Sequence, residues 1–120
     1  MRKISLITMA LCLVFLASCS MKNLTPVEQA SVIGAESSKT YISLYNTYVS
    51  LEGVLEGEAL EKLKKTAPAF DQAKICLIAY NDLVIKWRVL GGGEPVELIK
   101  NKELLNSLLA EISTVLISLM

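Results

Sequence analysis

The chain contains no histidine. That excludes histidine-based triads and dyads, and every metal site that needs an imidazole ligand. It also lacks the basic cluster that would hold nucleic acid or attract anionic lipid strongly. Lys62, Lys64 and Lys65 are close together, but Glu56, Glu58 and Glu61 lie beside them, giving a mixed, solvated helix face. No stretch alternates apolar and polar residues as a strand does, and no long internal repeat is present. The single glycine run, Gly91-Gly92-Gly93, lacks the lysine and hydroxyl residue of a phosphate loop and follows a helical pattern. It reads as a helix-ending turn.

What the chain does have begins at its start. Arg2 and Lys3 form a short positive region, Ile4 to Leu16 form an uncharged apolar run, and Ala17 and Ser18 are small. Those parts in that order make a secretory signal peptide. The apolar run is too short for a spanning helix, which needs about 20 apolar residues. Cys19 follows directly, and Leu16-Ala17-Ser18-Cys19 resembles the lipobox of bacterial lipoproteins. The resemblance ends there; residues 20–120 carry no family motif.

The resemblance implies a diacylglycerol on the Cys19 thiol. It also implies recognition of Leu16, Ala17, Ser18 and Cys19 by signal peptidase II, with the cut between Ser18 and Cys19. In many bacteria the freed amine is then acylated. Two or three acyl chains hold a protein on a membrane where one is marginal. Ser20 favours the outer over the inner membrane by the sorting rule of enteric bacteria. The competing accounts are an uncleaved anchor helix and an ordinary signal peptide with a chance cysteine.

On this reading residues 1–18 are a removed leader, 19–24 a lipidated tether and 25–120 one small domain with a single modest core. The tether spans at most ~20 Å, so the domain sits close to its bilayer. Twelve acidic residues remain, and the twelve basic ones less Arg2 and Lys3 leave ten, a side-chain charge of −2. Of the three cysteines, Cys12 leaves with the leader and Cys19 carries lipid. Cys76 alone remains, so no internal disulfide is possible. It lies in an apolar helical run and reads as a buried small hydrophobe, the alternative being a disulfide to a second chain.

The domain is expected to be all-α, an up-down-up bundle of three long helices with a fourth, short helix over 58–65. Thr25-Pro26-Val27-Glu28 has the form of a capping box with proline at the first helical position. Val27, Ala30, Gly34, Ser37, Tyr41, Leu44, Tyr48 and Leu51 then recur at three-four spacing, and Gly53 ends the helix. Ala30, Gly34 and Ser38 would let a neighbouring helix come close. Glu58–Lys62 and Glu61–Lys65 are spaced as ion pairs on the short helix.

After Pro68, the residues Phe70, Ala73, Leu77, Tyr80, Val84 and Trp87 form a second seam, widened by Cys76, Ile78, Leu83, Ile85 and Leu90. The last helix begins near Glu94-Pro95, with Leu98, Leu105, Leu108, Ile112, Val115 and Leu119 as its seam and Asn101 filling one slot. Leu104 to Met120 carries one charge, Glu111. At about 25 Å it falls short of the ~30 Å hydrocarbon core. An acid near mid-bilayer costs at least ~2.5 kcal/mol on insertion scales, so a bundle helix is the better reading than a second anchor.

Candidate chemistry is sparse. Asp71 and Asp82 lie near aromatic residues, but Lys74 and Lys86 follow them on the same helix and suggest surface pairing. Glu111 sits in apolar company; buried, its pKa would rise, but the narrow polar face with Asn106, Ser107 and Ser118 accounts for it more simply. Tyr41, Tyr48, Tyr80 and Trp87 fall on the seams as core residues with polar edges, with Tyr45 beside them. An aromatic-lined ligand groove is the alternative. These features point to a non-enzymatic, lipid-anchored interaction or assembly module of the bacterial cell envelope. No cofactor and no nucleic acid are expected. Its partners would be the membrane, through Cys19, and either another protein or a second copy. A small-ligand or lipid-binding bundle is the second expectation.

Overall fold

The computed structural model describes residues 24–120, and all of its regular structure is helical. The leader, the lipobox Leu16-Ala17-Ser18-Cys19 and the tether up to Asn23 lie outside the described residues. Helix α1 runs over Pro26–Glu52, α2 over Gly57–Lys64, α3 over Ala67–Leu90 and α4 over Val96–Leu119. The three long helices pack together in up-down-up order. Each touches the other two, and short α2 closes one end against α1 and α4. No strand occurs among the described residues.

Local signals set the boundaries. The Thr25 side-chain oxygen accepts the Glu28 backbone N–H at 3.3 Å, and the Thr25 hydroxyl donates to the Glu28 carboxylate at 2.9 Å. That holds an otherwise unpaired N–H at the start of α1. Pro68 sits in the first turn of α3, where a missing N–H costs nothing. Between α3 and α4, Gly91 and Gly92 take φ of 72° and 86°, a left-handed conformation that glycine adopts without strain.

The core divides into two clusters. One lies toward α2 and gathers Leu44, Leu51, Leu63, Phe70, Leu77, Leu105, Ile112 and Leu116 among its buried members. The other lies toward the Gly91–Gly93 turn and holds Ala30, Tyr80, Val84, Trp87 and Leu98. We call these the far end and the entry end, because the described chain enters at Leu24 beside the second.

The expected α3 seam is buried at all six positions. The other two seams differ in part. In α1, Thr40 is buried while Val27, Tyr41 and Tyr48 are only half-buried. In α4, Leu109 and Leu116 are buried, whereas Val115 and Leu119 are half-buried. A straight helix drifts about 20° per heptad from a 3.5-residue repeat, so the buried face slides along α4. Of the residues expected to widen the apolar surface of α3, Cys76 is buried, Leu83 half-buried, and Ile78, Ile85 and Leu90 are exposed.

Candidate functional site

The outer face of α3 carries the most distinctive surface. Ile75, Ile78, Ile85 and Val89 are all exposed, and with Asp82 they recur at three-four spacing opposite the buried seam. Such spacing places them on one stripe of the helix. Lys86 and Asp82 pair at 3.1 Å within it, both well exposed. The pair divides the stripe into Ile75 with Ile78 and Ile85 with Val89; apolar side chains gathered on one face in this way mark interaction sites more often than isolated ones do. A shorter row on α1, Ile42, Tyr45 and Val49, is also exposed.

The aromatic residues separate into two groups. Tyr41, Tyr45 and Tyr48 surround Phe70, with ring centroids 5.9, 5.8 and 5.2 Å from it, all edge-on. That is the favoured geometry for aromatic pairs. Burial raises the pKa of Tyr41, with Asp71 and Tyr45 adding to it. Burial likewise raises that of Tyr48, with the Glu52 carboxylate one turn on contributing. Tyr80 and Trp87 belong to the entry end instead, so the five aromatics do not line one groove. The Tyr80 hydroxyl donates to the Ala30 carbonyl at 2.9 Å across α1 and α3. Burial, with the Glu94 carboxylate adding to it, pushes Tyr80 up to about 12.

Two clefts among the described residues bear on function. The larger, about 350 Å³, lies between the α2–α3 corner and α4. Ala69, Ile112 and Val115 supply its apolar walls, while Lys62, Lys65, Thr66 and Glu111 are polar lining residues. Glu111 is exposed, in keeping with the simpler of its two readings. The smaller, about 160 Å³, lies at the entry end between Pro26, Ala30, Tyr80, Glu94 and Lys102.

Other expected features resolve individually. Cys76 is a buried free thiol within the far-end core, so it is not presented to a second chain. The Asp82–Lys86 pair forms, whereas Glu58–Lys62, Glu61–Lys65 and Asp71–Lys74 do not close to ion-pair distance. Exposed pairs of this kind gain little from closing. Among the described residues no group of three acidic or cysteine side chains is placed to hold a metal ion. Nor is any helix among them long and apolar enough to cross a membrane. Lipidation at Cys19 and cleavage behind Leu16, Ala17 and Ser18 fall outside the described residues. The chain matches no protein-family model, no curated protein and no solved structure.

Reading the sequence for seams marked Ile78 and Ile85 as extra apolar surface on α3 but did not join Ile75 and Val89 to them. The stripe's signal was present: Ile75, Ile78, Ile85 and Val89 repeat with the same period as Phe70–Trp87 but on the opposite face.

Proposed function

We propose that this protein is a lipid-anchored module of the bacterial cell envelope that works by protein–protein contact near the membrane, without catalysis. The lipobox at Leu16–Cys19 supports the anchor, and Ser20 favours the outer membrane facing the periplasm. The observation that carries the interaction reading is the stripe Ile75, Ile78, Ile85 and Val89, which no element of the described fold covers. Burying one such side chain contributes about 1.5–3 kcal/mol. A handful of well-packed anchors dominates a typical interface.

Intact mass and membrane fractionation test the anchor. Loss of residues 1–18 with added lipid mass is expected; a Cys19→Ser chain that stays membrane-bound would overturn it. A photo-crosslinker at Ile78 in intact cells tests the contact. A discrete product with a partner or a second copy is expected at Ile78 and not at exposed Lys64. Equal labelling at both sites would reject the stripe as an interface.

A small-ligand or lipid-binding bundle is the second reading, and the cleft of about 350 Å³ favours it. That volume lies within the usual range for ligand sites. Lys62 and Lys65 beside apolar walls would suit an amphiphile with an acidic head. Titration with a long-chain fatty acid, followed by displacement of a fluorescent analogue, tests it; absence of saturable displacement rejects it.

A further inference from the structure

We infer that the Gly91–Gly93 turn and its flanks form a tip that inserts into the lipid bilayer surface, holding the entry end of the bundle down on the membrane. The inference rests on the lipid-anchor reading and adds an orientation to it.

Three observations meet at this end. First, the apolar side chains that border the turn and lie outside the α3 stripe are among the most exposed described: Leu90 at 82% and Val96 at 65%. Second, the turn is open on its outer side. A Cβ built on Gly91, Gly92 or Gly93 meets nothing within 4 Å. The outer side of the turn is therefore unobstructed, and with its apolar flanks it forms what we call the knob. A fluid interface accommodates such a shape without needing a complementary groove.

Third, the chain enters the fold here. Pro26 and Glu94 line the same small cleft, and the Tyr80 hydroxyl reaches the Ala30 carbonyl. Arg88 of α3 bonds the hydroxyl of Ser31 in α1. The backbone carbonyl of Leu24 accepts from the Gln29 side chain at 3.0 Å, so the entry point is fixed against α1. Residues 19–24 span at most ~20 Å. A bundle 52 Å long, tethered so closely, must keep this end near the bilayer. The turn at the far end, residues 53–56, carries Val54 as its one strongly exposed large apolar side chain.

Glu94 and Glu97 lie beside the knob, with Arg88 the nearest cation along the chain. Insertion is therefore driven by apolar burial, and anionic lipid should not strengthen it.

The single tryptophan reports on the tip. Trp87 is buried beneath the turn and donates its indole N–H to the Gly92 carbonyl at 3.0 Å. The experiment reconstitutes the full, membrane-extracted protein into zwitterionic phosphatidylcholine vesicles with brominated acyl chains. Trp87 fluorescence should be quenched, equally with and without added anionic lipid. Leu90→Glu should lower the equilibrium constant for tip insertion at least roughly tenfold, as expected for loss of one buried leucine, and so reduce the quenching. Val54→Glu should leave the quenching unchanged.

Failure of the two readings can be told apart. Protein that carries lipid and floats with vesicles, yet shows unquenched Trp87, overturns the tip and leaves the anchor standing. Protein without lipid on Cys19 overturns the anchor; the same quenching with excess vesicles then decides the tip, and its absence rejects it. Unquenched Trp87 with concentration-dependent dimerisation assigns the knob to a second copy and also rejects the proposal.

Discussion

The two ends of the bundle are built on different principles. At the far end leucines and Ile112 from all four helices meet Phe70, Ala73 and Cys76, with few directional bonds among them. At the entry end the buried cluster is small, and polar contacts fix it: Tyr80 to Ala30, and Trp87 to Gly92. Gly34 adds a close approach, since a Cβ there would overlap the Asn81 carboxamide and lie 3.2 Å from the Tyr80 ring. The far end is held by volume, the entry end by geometry. A bundle so divided can keep its stability at one pole and spend surface residues on contacts at the other.

The sharpest way to break this comparison is to open a cavity at each end. Ile112→Ala should cost about 3–4 kcal/mol, within the range for large-to-small changes at a fully buried site. Val84→Ala at the entry end removes less volume from a smaller cluster and should cost about 2 kcal/mol. Urea unfolding followed by far-ultraviolet circular dichroism measures both. A loss at Val84 as large as that at Ile112 would mean that the entry end depends on volume as much as the far end does.

Gly34→Val sharpens the entry-end side. The added branch must displace Asn81 and press on the buried Tyr80 ring, costing about 2 kcal/mol as overpacking does. Gly34→Ala should cost less, because alanine regains about 1 kcal/mol of helix propensity. If valine were tolerated at no cost, α1 and α3 would not be held close by this glycine.

A smaller effect separates bonding from volume at the same end. Tyr80→Phe keeps the ring and loses the hydrogen bond to Ala30, costing about 1 kcal/mol. It also changes the response to alkali. The folded pKa of Tyr80 is raised to about 12 from 10.0, so the neutral form is favoured by folding. The stability this confers is fully present below pH 10 and is lost as pH rises through 12. Tyr80→Phe should therefore flatten the fall in unfolding midpoint across that window. The raised Tyr41 and Tyr48 leave a residual slope. An unchanged slope would mean that Tyr80 ionises as freely in the fold as in the unfolded chain.

How much of this was legible beforehand follows from what each residue signals on its own. The α3 seam from Phe70 to Trp87 was legible because its three-four count stays on the buried face throughout. Leu109 and Leu116 were not, because a three-four count carried through α4 loses phase with the real helix. Gly34 and Ser38 announced a close approach, but not that Asn81 and Tyr80 would fill it. The Tyr41–Tyr45–Tyr48 ring around Phe70 needs contacts between α1 and α3, which no local pattern contains. The lipobox is the reverse case: the candidate anchor is written in Leu16–Cys19 and owes nothing to the fold.

Ser113 tests the comparison from the far side, with a similarly small expected effect of opposite sign. It is buried among the apolar residues of α4, and among the described residues its hydroxyl has no hydrogen-bond partner. Other hydroxyls in these helices do better: Ser38 donates to the Gly34 carbonyl and Thr114 to Ala110, each at 2.9 Å. An unsatisfied buried polar atom costs about 1 kcal/mol or more, and alanine is also the better helix former. Ser113→Ala should therefore raise stability by roughly 1 kcal/mol, read as a higher urea midpoint with an unchanged slope. That gain is what a core held by volume alone requires. A loss instead would show that Ser113 is bonded in solution, and that the far end depends on a directional contact as the entry end does.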